Sequence, residues 1–150
     1  MNLRKILSPE VVSLGLKAET KDEALVELVD LLMQSGKVAD REKALAAIRE
    51  REEKMSTGIQ HGVAIPHGKS EAVEELVACV AVKPEGIDFA SLDGEPSKIF
   101  IMTLSPVNRT GPHVQFLAEI SQLLQTAEAR EKILSVNSAE ELLKILLKTS

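Results

Sequence analysis

Apolar residues change their spacing twice between the two ends of this chain, and each change marks a different kind of element. From Lys21 to Ser35, residues Ala24, Leu25, Leu28, Val29, Leu31 and Leu32 fall on one stripe of a helix. Thr20-Lys21-Asp22-Glu23 opens that helix as a capping box, and Gly36 offers a C-terminal stop. Asp40 caps a second helix that buries Ala44, Leu45, Ala47 and Ile48, turns Arg41, Glu42, Arg49 and Glu50 to water, and delivers Arg51 at its end.

From Ser56 to Thr103 the spacing shortens to the runs Val63–Ile65, Leu76–Val82 and Lys98–Thr103, separated by Gly, Pro and Asp, which predicts the sheet. Leu76–Val82 is apolar throughout, as a central strand covered on both faces would be. Phe89 and the turn Leu92-Asp93-Gly94-Glu95-Pro96 join two strands, with Phe89 anchored in the core. Helical spacing then returns. Gly111-Pro112 introduces a helix with His113 in its first turn and Phe116, Leu117, Ile120, Leu123 and Leu124 on one face. A short helix over Ala127–Leu134 follows, and a last one starts at Ser138, whose capping box pairs with Glu141, with Leu142, Leu143 and Leu146 inward. Helices, then strands, then helices predict an α/β fold, a three-layer α/β/α sandwich on a small mixed sheet, as a single domain over 1–150.

Charge and aromatic content narrow the partners. The 18 basic residues are outnumbered by 23 acidic ones and are scattered, so nucleic acid is not an expected partner. Three Phe and no Trp or Tyr leave no stacking platform for single strands. Met1 to Pro9 contains no apolar signal region, and Leu76–Val82 is far short of the roughly 20 residues that cross a bilayer as a helix. A cytoplasmic protein without membrane insertion is expected. The lone Cys79 sits inside that apolar run and reads as core.

The chemistry concentrates in Gly62-Val63-Ala64-Ile65-Pro66-His67-Gly68. A short apolar strand ends at Pro66, which lacks a donor, and presents His67 on a fixed turn, with Gly68 leaving room beside the ring for another molecule. A neutral imidazole is nucleophilic near neutral pH, and its N–P bond stays labile, so reversible phosphoryl transfer is a natural use of such a ring. That step needs donors to screen the phosphoryl oxygens rather than a general base. Candidate donors are the hydroxyls of Ser56 and Thr57, the backbone N–H groups around Gly68, the Arg51 guanidinium and the His113 imidazole. Each has a plainer alternative: Arg51 could bind a neighbouring carboxylate, Ser56 and Thr57 could serve as turn or cap residues, and His113 could simply start a helix. His67 follows His61 by six positions, and no Cys or carboxylate cluster completes a metal site, so no metal is expected.

The heptapeptide resembles the phosphorylation-site motif of the fructose/mannitol-type and nitrogen-regulatory IIA proteins (EIIA type 2) of the bacterial sugar phosphotransferase system. The likeness extends to Arg51-Glu52, Ser56-Thr57-Gly58, Ser91-Leu92-Asp93-Gly94-Glu95-Pro96, His113 and the closing Ala127–Leu147 stretch. It implies helices on both sides of a mixed sheet, a phosphorylated His67, a phosphate-assisting His113 and an active-site Arg51. It further implies HPr as donor, a IIB protein as acceptor with membrane IIC on separate chains, and no cofactor. The alternative is a regulatory module whose His67 phosphorylation controls contacts with kinases or transporters. Lys54-Met55-Ser56-Thr57-Gly58 is similar to the regulatory branch, and Glu85 to Gly94 leans to the fructose branch. Two positions depart from the pattern. His61 stands where a small or polar residue is common, either lining the rim or facing water, and Gly111-Pro112-His113-Val114 replaces a more common His-Leu pair.

Overall fold

The computed structural model describes residues 3–109 and 111–147. Its first helix, α1, is a single turn over Leu3–Ile6, followed by a 3-10 turn, Pro9–Val11, and a two-residue strand β1, Val12–Ser13. Helix α2 spans Lys21–Met33 and α3 spans Arg41–Lys54. Both N-caps work as their sequences predict: Thr20 Oγ1 accepts from the Glu23 N–H at 3.2 Å and Asp40 accepts from the Lys43 N–H at 3.1 Å. α2 stops two residues before the expected Ser35, and the chain leaves it through a turn closed by Gly36 at φ +73°.

Four more strands complete one mixed sheet: β2 Val63–Ala64, β3 His67–Lys69, β4 Val77–Ile87 and β5 Ser97–Ser105. β4 and β5 pair antiparallel at the centre, β1 flanks β4 in parallel, and β2 and β3 both run parallel to β5 along its other side. Two strands differ from the sequence expectation. β1 was not foreseen, and β4 runs on past Val82 through an irregularity to Ile87.

The third difference concerns His67 itself. Pro66 interrupts the edge but does not end it, because its carbonyl still accepts from the Thr103 N–H at 3.0 Å and pairing resumes at once, with His67 opposite Thr103. His67 therefore stands on a strand rather than on a turn. Neither Gly68 nor Lys69 favours a strand, so β3 exists through its pairing with β5 and not through local propensity.

Helices α4 Gly111–Leu123, α5 Ala127–Leu134 and α6 Ala139–Leu147 lie beyond the sheet. Successive side chains on β4 and β5 alternate between two cores. Cys79, Ala81, Phe100, Met102 and Leu104 pack with α2 and α3, whereas Ala78, Val80, Ile99 and Ile101 pack with α1 and α4 to α6. This is the three-layer arrangement expected. Phe89 is fully buried, edge-on to Phe100 at 5.7 Å, as its anchoring place requires.

Candidate functional site

The edge formed by β2 and β3 is braced from below by the loop after α3. The buried Glu52 carboxylate accepts from the Thr57 N–H at 2.8 Å and from the Thr57 hydroxyl at 2.6 Å, and pairs with Lys21 at 2.9 Å. The Thr57 carbonyl in turn accepts from the Ile65 N–H at 3.0 Å. Ser56 Oγ donates to the Phe89 carbonyl at 2.8 Å and accepts from the Gly58 N–H at 3.1 Å. The protons of both hydroxyls are thus committed to protein acceptors, and neither residue lines the cleft around His67. Of their two readings, the loop-fixing one describes the geometry.

The Ser91–Pro96 turn braces the same loop. The Leu92 N–H donates to the Gly58 carbonyl at 3.0 Å, and a Cβ on Gly58 would strike Ser91 Oγ at 2.4 Å. Asp93 accepts from the His61 N–H at 3.2 Å. His61 and Gly62, at φ +59° and +77°, are the central pair of a tight turn closed from Val63 N–H to Gln60 carbonyl. The exposed His61 lines a separate recess of about 120 Å³ against Ile120 and Leu124, so it does not join His67.

An open cleft of about 670 Å³ lies where β3 passes between the C-terminal half of α3 and the start of α4. Its lining includes His67, Lys69, His113, Val114, Arg51 and Lys54. His67 is half-buried, and its Nδ1 lies 2.9 Å from the Ile65 carbonyl oxygen. A carbonyl can only accept, so the ring carries its proton on Nδ1 and keeps a lone pair on Nε2. His113 stands beside it with ring centroids 5.0 Å apart and a 41° tilt. Burial above all, with the electrostatic influence of the neighbouring His67 and Lys69 side chains behind it, pulls the His113 pKa down to about 4, so the ring is neutral at pH 7. Its Nδ1 lies 3.1 Å from the buried Thr103 Oγ1.

Arg51 reaches the cleft from the last turn of α3, where its guanidinium donates to the Met55 carbonyl at 2.9 Å rather than to a carboxylate. Arg51, Lys54 and Lys69 against Glu50 give the cleft a local positive excess on a chain of net charge -5, the balance an anionic group requires.

Gly68 corrects an expectation. A Cβ there would come within 3.1 Å of the Ala47 carbonyl group and 3.3 Å of the Ile48 nitrogen. The space a Cβ would need is taken by the α3 backbone, so the glycine serves the close approach of β3 and α3, while its own backbone lines the cleft.

Lys69 and Thr103 escape the sequence reading. Lys69 shares a face with His67 only once residues 67–69 are seen to form a strand. Thr103 carried a signal, a lone hydroxyl in the otherwise apolar Ile99–Leu104 run, which when buried has to find a partner. Among the described residues, no helix is long and apolar enough to cross a membrane.

A family model described as phosphoenolpyruvate-dependent sugar phosphotransferase system, EIIA 2, matches residues 5–149. The PTS system fructose-specific EIIA component of Haloferax volcanii is 37% identical over 137 residues, covering 91% of this chain and 89% of that protein. The crystal structure of nitrogen regulatory protein IIA-Ntr from Neisseria meningitidis superposes with a TM-score of 0.85 at 29% identity, covering 96% of this chain and 98% of its own. A complex of enzyme IIAMTL with phosphorylated enzyme IIBMTL from Escherichia coli matches with a TM-score of 0.81 at 26% identity, covering 95% of this chain and 97% of the other.

Proposed function

The chain belongs to the EIIA type 2 family of the phosphoenolpyruvate-dependent sugar phosphotransferase system, and from that premise we propose that it is a cytoplasmic phosphocarrier with His67 as its acceptor. The observation that carries this is the Nδ1 contact of His67 with the Ile65 carbonyl, which leaves Nε2 as the nucleophile facing a cationic cleft.

The donor is the phosphohistidine of HPr. The Nε2 lone pair of His67 attacks its phosphorus in line, the new N–P bond forms as the donor's N–P bond breaks, and the donor imidazole departs with that electron pair. The His67 ring gains positive charge as the bond forms, which strengthens the hydrogen bond from Nδ1–H to the Ile65 carbonyl. Arg51, Lys69 and His113 face the three phosphoryl oxygens, the first two as cations and His113 as a neutral donor. In the return step a cysteine thiolate on a IIB protein attacks the same phosphorus and His67 leaves as neutral imidazole. No cofactor takes part. The Escherichia coli complex, which pairs a similar chain with a phosphorylated IIB, supports that acceptor, and the Haloferax relative supports a fructose-type sugar.

A second reading, in which the phosphorylation state of His67 regulates binding to other proteins, is favoured by the likeness to IIA-Ntr. Both readings share the first step. Incubation with phosphoenolpyruvate, enzyme I and HPr should add one acid-labile phosphate to the wild type and none to His67→Ala, read by intact mass. Equal labelling of His67→Ala would overturn the assignment. A purified fructose-type IIB then separates the branches, because only a transport carrier should discharge to it.

A further inference from the structure

We infer that Thr103 is a positioning residue whose buried hydroxyl donates to Nδ1 of His113 and thereby holds that ring's proton on Nε2, opposite to the tautomer of its neighbour His67. Thr103 lies on β5 directly across from His67 in the β3–β5 register. It continues the row of Ile99 and Ile101, which face α4, so its side chain points at the first turn of that helix.

The direction of the hydrogen bond follows from counting protons. Among the described residues, the only partner of Thr103 Oγ1 is His113 Nδ1, at 3.1 Å. The hydroxyl is fully buried, and a buried O–H without an acceptor is costly, so its proton goes to Nδ1. A neutral imidazole that accepts at Nδ1 is protonated at Nε2. The neighbouring ring has the reverse arrangement, because the Ile65 carbonyl accepts from His67 Nδ1–H. Two adjacent imidazoles are thereby given different duties by different partners. A carbonyl prepares His67 to attack with Nε2, and a hydroxyl prepares His113 to donate from Nε2 to the group that arrives. With the opposite tautomer, His113 would present a lone pair to the phosphoryl oxygens and repel them.

This inference rests on the phosphocarrier reading, and the two can fail separately. Nitrogen-15 NMR of the unphosphorylated protein reads both tautomers without any donor, with rings assigned through His61→Gln and His67→Ala. A bare Nδ1 and protonated Nε2 on His113 are expected; a protonated Nδ1 with a bare Nε2 would overturn the contact's direction. Thr103→Val keeps shape and β-branching but leaves His113 Nδ1 without its partner, so the protein should stay folded with a melting temperature only a few degrees lower, while labelling of His67 by phospho-HPr slows by about 3- to 10-fold. Thr103→Ser restores the hydroxyl and should restore the rate to within about twofold, which loss of packing alone does not predict. Labelling of Thr103→Val at the wild-type rate, or of Thr103→Ser as slowly as Thr103→Val, overturns the positioning role. Absence of label on the wild type removes the phosphocarrier reading and leaves the tautomer result to decide the Thr103 contact.

Discussion

Glu52 holds Thr57 twice, accepting from its backbone N–H and from its hydroxyl at 2.8 and 2.6 Å. The chain of contacts does not stop there, because the Thr57 carbonyl fixes the Ile65 N–H and the Ile65 carbonyl orients the His67 ring. A buried carboxylate on α3 is in this way connected, through Thr57 and Ile65, to the His67 ring. Lys21 completes its coordination from α2, with its ammonium also 4.9 Å from the centre of the Phe89 ring.

Glu52→Ala removes the acceptor for two Thr57 donors and leaves Lys21 without its partner. The expected loss is about 3 kcal/mol, seen as a fall in melting temperature of roughly 6–12 °C for a chain of this size. Glu52→Gln retains one acceptor oxygen and should fall between. Labelling of His67 should slow in both variants even at temperatures where they remain folded. Unchanged melting of Glu52→Ala would refute the bracing role.

The depressed pKa of His113 makes stability depend on acidity in a defined direction. Its folded value of about 4 lies below the ordinary 6.5, so between these values the unfolded chain binds the proton that the folded chain refuses. The contribution is complete above pH 6.5 and disappears as pH falls through about 4. At roughly 1.4 kcal/mol per pKa unit, reduced because the cleft is open to solvent, it amounts to on the order of 2 kcal/mol. Urea unfolding of the wild type at pH 7 and pH 4.5 should give a larger difference than the same pair of measurements on His113→Asn. An equal difference in both proteins would exclude His113 as a source of the acid sensitivity.

Arg51 is the cation at the cleft whose position is fixed by a hydrogen bond to the Met55 carbonyl. Because a charge-assisted hydrogen bond contributes about 1.5–3 kcal/mol, Arg51→Ala should lower the rate of His67 phosphorylation by roughly 10- to 100-fold while leaving the fold intact. Arg51→Lys keeps the charge without the planar fork and should recover only part of the rate. Rapid-quench labelling with phospho-HPr separates the three proteins, and equal rates would remove Arg51 from the site.

The helices were readable because their signals are local. The caps at Thr20, Asp40 and Ser138 each accept the N–H three residues on, as short-range chemistry dictates. The central strands were readable because an apolar run covered on both faces has few alternatives. β1 and β3 were not, since a two- or three-residue strand takes its conformation from the strand it pairs with. The motif singles out His67, which the structure places at the cleft, but its neighbours could not be sorted from sequence. Whether Ser56 and Thr57 point at the cleft or at Phe89 and Glu52 depends on how the loop folds over α3. Thr103 reaches His113 only through the register of β5 against β3 and the seating of α4.

Gly68 joins packing to chemistry most directly, since it lines the cleft between His67 and Lys69 while its Cα lies against the α3 backbone. An alanine methyl there would meet the Ala47 carbonyl carbon and oxygen at 3.1 Å, and these are backbone atoms in the interior of α3 that cannot swing aside. Either the strand or the helix has to move by a few tenths of an ångström. The expected cost is about 1–3 kcal/mol, and because β3 carries His67 the displacement also moves that ring relative to His113. Gly68→Ala should therefore both melt earlier and accept phosphate more slowly than wild type. Pairing it with Ala47→Gly gives no relief, because the contacts are with backbone rather than with the Ala47 methyl. Rescue of the melting temperature in that double variant would contradict the close approach of strand and helix.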